Sequence, residues 1–243
     1  MVKEAKIDLF IVEGSSDESY LNPIKKAISK KNDLIRVKIT HGDITSLITK
    51  NHKAKFQDIL REQVDLYLKE TSLNITDIRQ IIHIVDTDAV SCDSKKVIYN
   101  EKAEKIIYYD DRMETNKVNS TINRNKNKKE VLQIMCSITH NMSFPKYNLV
   151  EIPYKMYFIS QNADHLFVGK LNLSDDEKED ESLNIADLYA NDFQGYLELI
   201  NKHIFDKLDY KESWIEILKS KNAFSCKTNL NILIQKYKDE GLI

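Results

Sequence analysis

The sequence predicts an α/β protein built on a mostly parallel, Rossmann-like sheet with flanking helices, and three observations carry that expectation. Residues 7–14, Ile-Asp-Leu-Phe-Ile-Val-Glu-Gly, are an apolar run that stops at Glu13-Gly14, and residues 81–88, Ile-Ile-His-Ile-Val-Asp-Thr-Asp, are another that stops at Asp86 and Asp88. Apolar runs of this length read as strands buried on both faces. Between them strand and helix periodicities alternate, the order that builds a parallel sheet. Glycine and proline are scarce, at 5 and 3 residues of 243, which argues against a loop-built all-β fold.

The first strand leads into Ser15-Ser16-Asp17-Glu18, which reads as a helix start with Ser15 as N-cap and Glu18 three positions on. Tyr20, Leu21, Ile24, Ala27 and Ile28 then recur at helical spacing to about residue 31. Residues 34–39 alternate and are partly β-branched, giving a second strand that ends at Thr40-His41-Gly42-Asp43. A helical tract over 44–73 places Phe56, Ile59, Leu60, Val64 and Leu68 on one face, and 80–85 forms the third strand. Residues 90–146 interrupt the rhythm as a basic insertion, with a short strand at 105–109 and a helix over 118–138. Strand character returns at 147–160, where Pro153 favours a break or an edge position. From Ser174 onward the pattern is helical, over 185–204, 210–219 and 229–237. The expected organisation is one domain over 1–165 containing that insertion, then a C-terminal helical extension over 166–243. No internal repeat is present.

Hydrophobic residues make up 42% of the chain and charged residues 30%, a balance that buries a core and keeps a polar surface. No apolar stretch approaches the roughly 20 residues of a membrane span. The start, Met-Val-Lys-Glu-Ala-Lys, runs into strand pattern rather than a signal peptide, so a cytoplasmic protein is expected. Cys92, Cys136 and Cys226 are odd in number and far apart, which fits reduced thiols better than a disulfide frame or a zinc site. At net charge −2 the chain is no polycation, so a nucleic-acid partner has to be met by local charge.

Open α/β sheets place their chemistry at the carboxyl ends of strands, so the two acid-ended runs predict one acidic cluster. Glu13 precedes a glycine, which permits a tight turn and close approach of a ligand; the alternative is a solvated carboxylate in a βα loop. Asp86 and Asp88 are two apart, the spacing that points side chains to one face of a strand. Carboxylates so placed repel unless a cation sits among them, and hard oxygen ligands suit Mg²⁺ or Mn²⁺, which bind phosphate as well. The expected ligands are Glu13, Asp86 and Asp88, and the expected reaction is metal-dependent phosphate chemistry. Residues 117–129 hold Lys117, Arg124, Lys126, Lys128 and Lys129 without an acid, either a grip on a phosphate backbone or a solvated helix start. His165 is the histidine placed to orient phosphate or water. His83, inside the third strand, reads as a packed residue with a satisfied nitrogen. Asp110 and Asp111 end another apolar run and are either a further ligand or a surface turn. The acidic run 175–181 reads as an exposed loop or helix start.

Ile11-Val12-Glu13-Gly14, a second strand, and then Ile84-Val85-Asp86-Thr87-Asp88 resemble the Toprim domain of topoisomerases, bacterial primases and the overcoming-lysogenization-defect nucleases, over about residues 5–90. The resemblance implies a Toprim sheet, Glu13 as general acid or base beside a metal, and Asp86 and Asp88 as Mg²⁺ ligands. Asn123-Arg124-Asn125 with Lys128, and Ser160-Gln161-Asn162-Ala163-Asp164-His165, are similar to segments of bacterial Toprim-like proteins associated with phage defence and abortive infection. Overcoming-lysogenization-defect proteins also carry an ATPase. Here Gly169-Lys170 is followed by Leu171 with no preceding phosphate-loop glycine, so an ATPase would be a separate chain.

The function so implied is a metal-dependent nuclease that cleaves DNA or RNA phosphodiesters in antiviral defence. Its implied partners are nucleic acid, an ATPase in trans and further copies of the chain in a homo-oligomer, with no membrane. No tyrosine among the twelve is marked as a nucleophile, so strand passage is not expected. A haloacid-dehalogenase-like phosphatase is the alternative enzyme, because Asp86-Thr87-Asp88-Ala89-Val90 also fits that family's nucleophile motif and Asp110-Asp111 its later acidic motif. Against it, that strand normally opens the catalytic domain, whereas here two strands and Glu13 come first. A non-catalytic Toprim fold that binds nucleic acid is the third reading.

Overall fold

A computed structural model describes residues 6–31, 35–41, 52–137 and 141–243. In chain order its elements are β1 (Lys6–Val12), α1 (Ser15–Lys31), β2 (Ile35–His41), α2 (His52–Thr71), β3 (Ile78–Asp86), β4 (Val97–Tyr99), β5 (Ile107–Tyr108), β6 (Met113–Thr115), α3 (Val118–Cys136), β7 (Asn141–Phe144), β8 (Val150–Ile159), α4 (Ala163–Val168), α5 (Asp175–Leu188), α6 (Phe193–Asn201), α7 (Tyr210–Ile217) and α8 (Leu230–Asp239). The architecture is α/β with mixed sheets. The main sheet has the order β2-β1-β3-β8-β7. β1 is parallel to β2 and to β3, β3 is parallel to β8, and β7 closes the edge antiparallel to β8. The three strands expected to be neighbours are therefore adjacent, with β1 in the middle. Pro153 pairs with Asn141 of β7 one residue before the β3 ladder begins at Tyr154, so its missing N–H falls outside that ladder.

Side chains alternate across the sheet, and each face is covered. Leu9, Ile11, Ile81, Val85, Met156 and Phe158 pack with α2, α3 and α7 on one side. Phe10, Val12, Ile82, Ile84, Tyr157 and Ile159 pack with α1, α4, α6 and α8 on the other. Each such aliphatic or aromatic side chain contributes roughly 1.5–3 kcal/mol when fully buried. Both strands that carry the acids are thus clamped from two sides, which fixes their ends. The second core joins β1, β3 and β8 to helices of the C-terminal region without a break at residue 165.

Between β3 and β8 the chain builds a small three-stranded sheet, β4-β6-β5, and the helix α3. The short strand expected at 105–109 is Ile107–Tyr108, and the helix expected over 118–138 ends at Cys136. The helix expected over 185–204 is two helices, α5 and α6, separated at residues 189–192, where the Asp192 side chain caps α6 by accepting from the Gly195 N–H at 2.9 Å. The expected start of α2 near residue 44 lies outside the described residues. Near the start of β1, Asp8 is completely buried and accepts from Arg79 Nε at 2.6 Å, Gln80 Nε2 at 2.7 Å and Tyr237 OH at 2.7 Å. Arg79 also reaches Glu240 at 2.7 Å, so the last helix is tied to the first strand by charge-assisted bonds.

Candidate active site

Glu13 follows directly on β1, and Asp86 is the last residue of β3, so adjacent parallel strands deliver both acids to one end of the sheet. Gly14 starts the turn into α1. Its N–H donates to Asp17 Oδ2 at 2.8 Å, placing the helix cap at Gly14 and Asp17, one residue before the expected Ser15 and Glu18 pair. That cap draws Asp17 toward the strand ends. Glu13, Asp17 and Asp86 line a cleft of about 440 Å³, whose far wall is Asp164 of α4 with Asp175 and Lys178 of α5. The wall is held firmly: Tyr20 OH donates to the buried Asp164 carboxylate at 2.9 Å, and the Tyr20 and Phe167 rings stack at 4.7 Å.

Asp86 is in an unfavourable place for a charge. Burial raises its carboxyl well above the usual range, and the neighbouring Asp17, Glu13 and Asp88 raise it further, while Lys128 lowers it. No hydrogen-bond donor among the described residues reaches its carboxylate.

Asp88 does not share the Asp86 side. The strand geometry that would align them ends at Asp86: the N–H groups of Thr87 and Asp88 donate to Ile159 O and Gln161 O, each at 2.9 Å, and Asp88 and Ala89 take left-handed backbone angles of 49° and 51°. Such angles cost a non-glycine residue roughly 1–2 kcal/mol. The result turns Asp88 toward α3, where it accepts from Lys128 Nζ at 2.6 Å and forms an ion pair with Arg124. Burial works to raise the Asp88 carboxyl, but the two cations more than offset it and hold it below the usual range.

Lys128 bridges the two halves of the centre. Its Nζ also lies 3.2 Å from Glu13 Oε1, and its side chain is only 1% exposed. Burial opposes its charge, yet the Asp88 and Glu13 carboxylates keep the ammonium well above the ordinary lysine range. Helical spacing explains the placement: Thr121, Asn125, Lys128 and Leu132 form the inward face of α3. The expectation that Arg124, Lys126, Lys128 and Lys129 form one phosphate-gripping surface is therefore corrected. Lys128 is interior and Arg124 is tied to Asp88 and, at 3.4 Å, to Tyr108 OH, which leaves Lys126 exposed and Lys129 partly exposed.

The other candidates lie elsewhere. His165 on α4 is not on the cleft; burial lowers its basicity, Asp110 and His203 are its charged neighbours, and its Nδ1 is buried without a partner. Asp110 and Asp111 line a separate groove with Lys96 and Lys221. His83 is buried with Nδ1 3.0 Å from Tyr154 OH, while its Nε2 has no partner; burial and then Lys128 lower its pKa to about 3, so it is neutral. Asp17, Asp164 and Lys178 are not singled out by the sequence pattern. Asp17 carries a signal, an acid three residues after the glycine that ends the strand.

Among the described residues no three or more His, Cys, Asp or Glu side chains converge to cage a metal ion. Mg²⁺ needs no such cage, since it keeps several waters and takes one or two carboxylates together with substrate phosphate. Asp86 offers a hard oxygen of that kind at the cleft with Asp17 beside it, whereas Asp88 is engaged by two cations and Glu13 by Lys128. No helix among the described residues is long and apolar enough to cross a membrane. No family model, curated protein or solved structure matches the chain.

Proposed function

We propose that this protein is a metal-dependent nuclease of Toprim type that hydrolyses nucleic-acid phosphodiesters, acting in bacterial anti-phage defence with an ATPase supplied by another chain. One observation carries the reading: Glu13 and Asp86, from the ends of adjacent parallel strands, face one cleft with Asp17, and the Asp86 carboxyl sits among other carboxylates with no hydrogen-bond donor to it among the described residues. A bound Mg²⁺ or Mn²⁺ would neutralise the scissile phosphate and lower the pKa of an attacking water. Asp86, with Asp17 beside it, is the side chain available to hold that ion. Glu13 manages protons, and its contact with the Lys128 ammonium fixes its orientation. Lys178, at the far wall, offers a positive partner to a phosphate entering the cleft, and Lys126 and Lys129 extend that attraction along α3.

The test is purified protein with Mg²⁺ or Mn²⁺ against plasmid DNA, total RNA and a chromogenic phosphate monoester, alongside Glu13→Gln. Loss of phosphodiester cleavage in a folded Glu13→Gln variant supports the reading. Full activity of that variant, or a phospho-aspartate trapped at Asp86, would replace it with the phosphatase, in which Asp86 is the nucleophile.

A further inference from the structure

The acidic centre already contains a cation. Lys128 Nζ lies within 2.6 Å of Asp88 Oδ2 and 3.2 Å of Glu13 Oε1, joining two carboxylates that follow different strands. Its side chain is almost entirely removed from solvent, unlike the lysines of a phosphate-binding surface. Its position is fixed by the helix that carries it, because α3 packs against α2, β4, β6 and β8. Arg124, one turn earlier, closes Asp88 from a second direction and is itself bonded to Tyr108 OH. An ammonium with three donors between two carboxylates does the electrostatic work of a bridging ion, but it is covalently attached and cannot exchange. A divalent ion placed between the same oxygens would meet this buried charge at contact distance, and like charges in a site of low polarity exclude one another.

We propose that the Lys128 ammonium is the resident cation of the centre: it fills the position of an ion bridging Glu13 and Asp88, so that a divalent ion is confined to the Asp86 and Asp17 side of the cleft, one per chain. The ion on the Asp86 side rests on the function proposed above; the occupation of the Glu13 and Asp88 side by Lys128 does not. Lys128 is thereby a positioning residue, which sets how many metal ions the centre takes and which carboxylates they find.

The experiment counts Mn²⁺ ions by calorimetric titration and by the electron paramagnetic resonance signal of free Mn²⁺. It compares wild type, Asp88→Asn, Lys128→Ala and the double variant. Wild type is expected to bind no more than one ion per chain, unaffected by Asp88→Asn. Lys128→Ala is expected to bind one ion more than wild type, and the double variant to lose that added ion. Because Lys128→Ala leaves two carboxylates facing each other, its thermal melting is also followed with and without Mn²⁺. An ion that binds the folded state alone raises the melting temperature, and the rise is expected to be larger in Lys128→Ala than in wild type. No added ion and no larger rise would overturn the proposal, as would a wild-type ion that disappears with Asp88→Asn. If wild type binds no Mn²⁺, the metal part of the proposed function falls, while a gain in Lys128→Ala still upholds this inference and its absence still overturns it.

Discussion

Replacing Asp86 by asparagine keeps the shape of the side chain and removes its charge, which separates what this residue does for folding from what it does for chemistry. Its carboxyl is raised by burial first and then by Asp17, Glu13 and Asp88. A carboxyl whose folded pKa lies above its unfolded value binds its proton more tightly in the folded state. Stability therefore falls as pH rises from the ordinary carboxylate value, 3.8, toward the raised folded value. At pH 7 the raised carboxyl is therefore a net cost to folding. The side chain is partly exposed to the cleft, and a gain of about 1–2 kcal/mol, the usual size when a single unfavourable charge is removed, is expected for Asp86→Asn. For a chain of this size the melting temperature then rises by about 2–8 °C. The assay is thermal unfolding at pH 7 in chelator, repeated at lower pH and with Mn²⁺. The advantage of the variant should shrink on acidification and vanish below about pH 4, where the wild-type carboxyl is protonated in both states. Mn²⁺ should close the gap from the other side, because at a hundredfold its Kd an ion bound to the folded wild type adds about 2.7 kcal/mol. An Asp86→Asn variant that melts at or below wild type at pH 7 without metal would refute the reasoning.

Asp8→Ala leaves Arg79, Gln80 and Tyr237 without their shared acceptor; breaking such a buried pair costs about 3–5 kcal/mol, and the lower end is expected because Arg79 keeps Glu240. Urea unfolding should show this as a lower midpoint at constant slope, and a loss under about 1 kcal/mol would mean the network is ornamental. Lys126→Ala with Lys129→Ala should weaken nucleic-acid binding and reduce its logarithmic salt slope by about two, near one for each phosphate the protein no longer neutralises. An unchanged slope in binding titrations at several salt concentrations would return that face of α3 to plain solvated surface.

The strand ends were legible because β1 and β3 run as largely apolar stretches buried on both faces, so the acid that closes each stretch marks where the chain leaves the sheet. The alternation of helix and strand around them carried the parallel order for the same reason. Lys128 was not legible as an interior residue, since a lysine among Arg124, Lys126 and Lys129 reads as surface. The missed signal was its registration with Thr121, Asn125 and Leu132 on the apolar side of the same helix. The divergence of Asp86 and Asp88 depends on left-handed angles at Asp88 and Ala89, which no glycine announces. β7, four residues long and next to Pro145, offers too short an alternation to be read. Asp164 and Lys178 come to the cleft only through packing of α4 and α5 on α1.

The cleft joins parts of the chain that are synthesised far apart. Glu13 and Asp86 emerge early, but the cleft they line is completed by Asp164, Asp175 and Lys178, and the last partner of the buried Asp8 is Tyr237 of the final helix. Contacts of such long sequence separation form late, after most of the chain is available to close the loops between them. A growing chain on the ribosome therefore carries its acids without an enclosed pocket to use them in, and competence arrives only with the last helix. For the nuclease proposed above, that order of assembly would keep the half-made molecule harmless to the template and the machinery producing it.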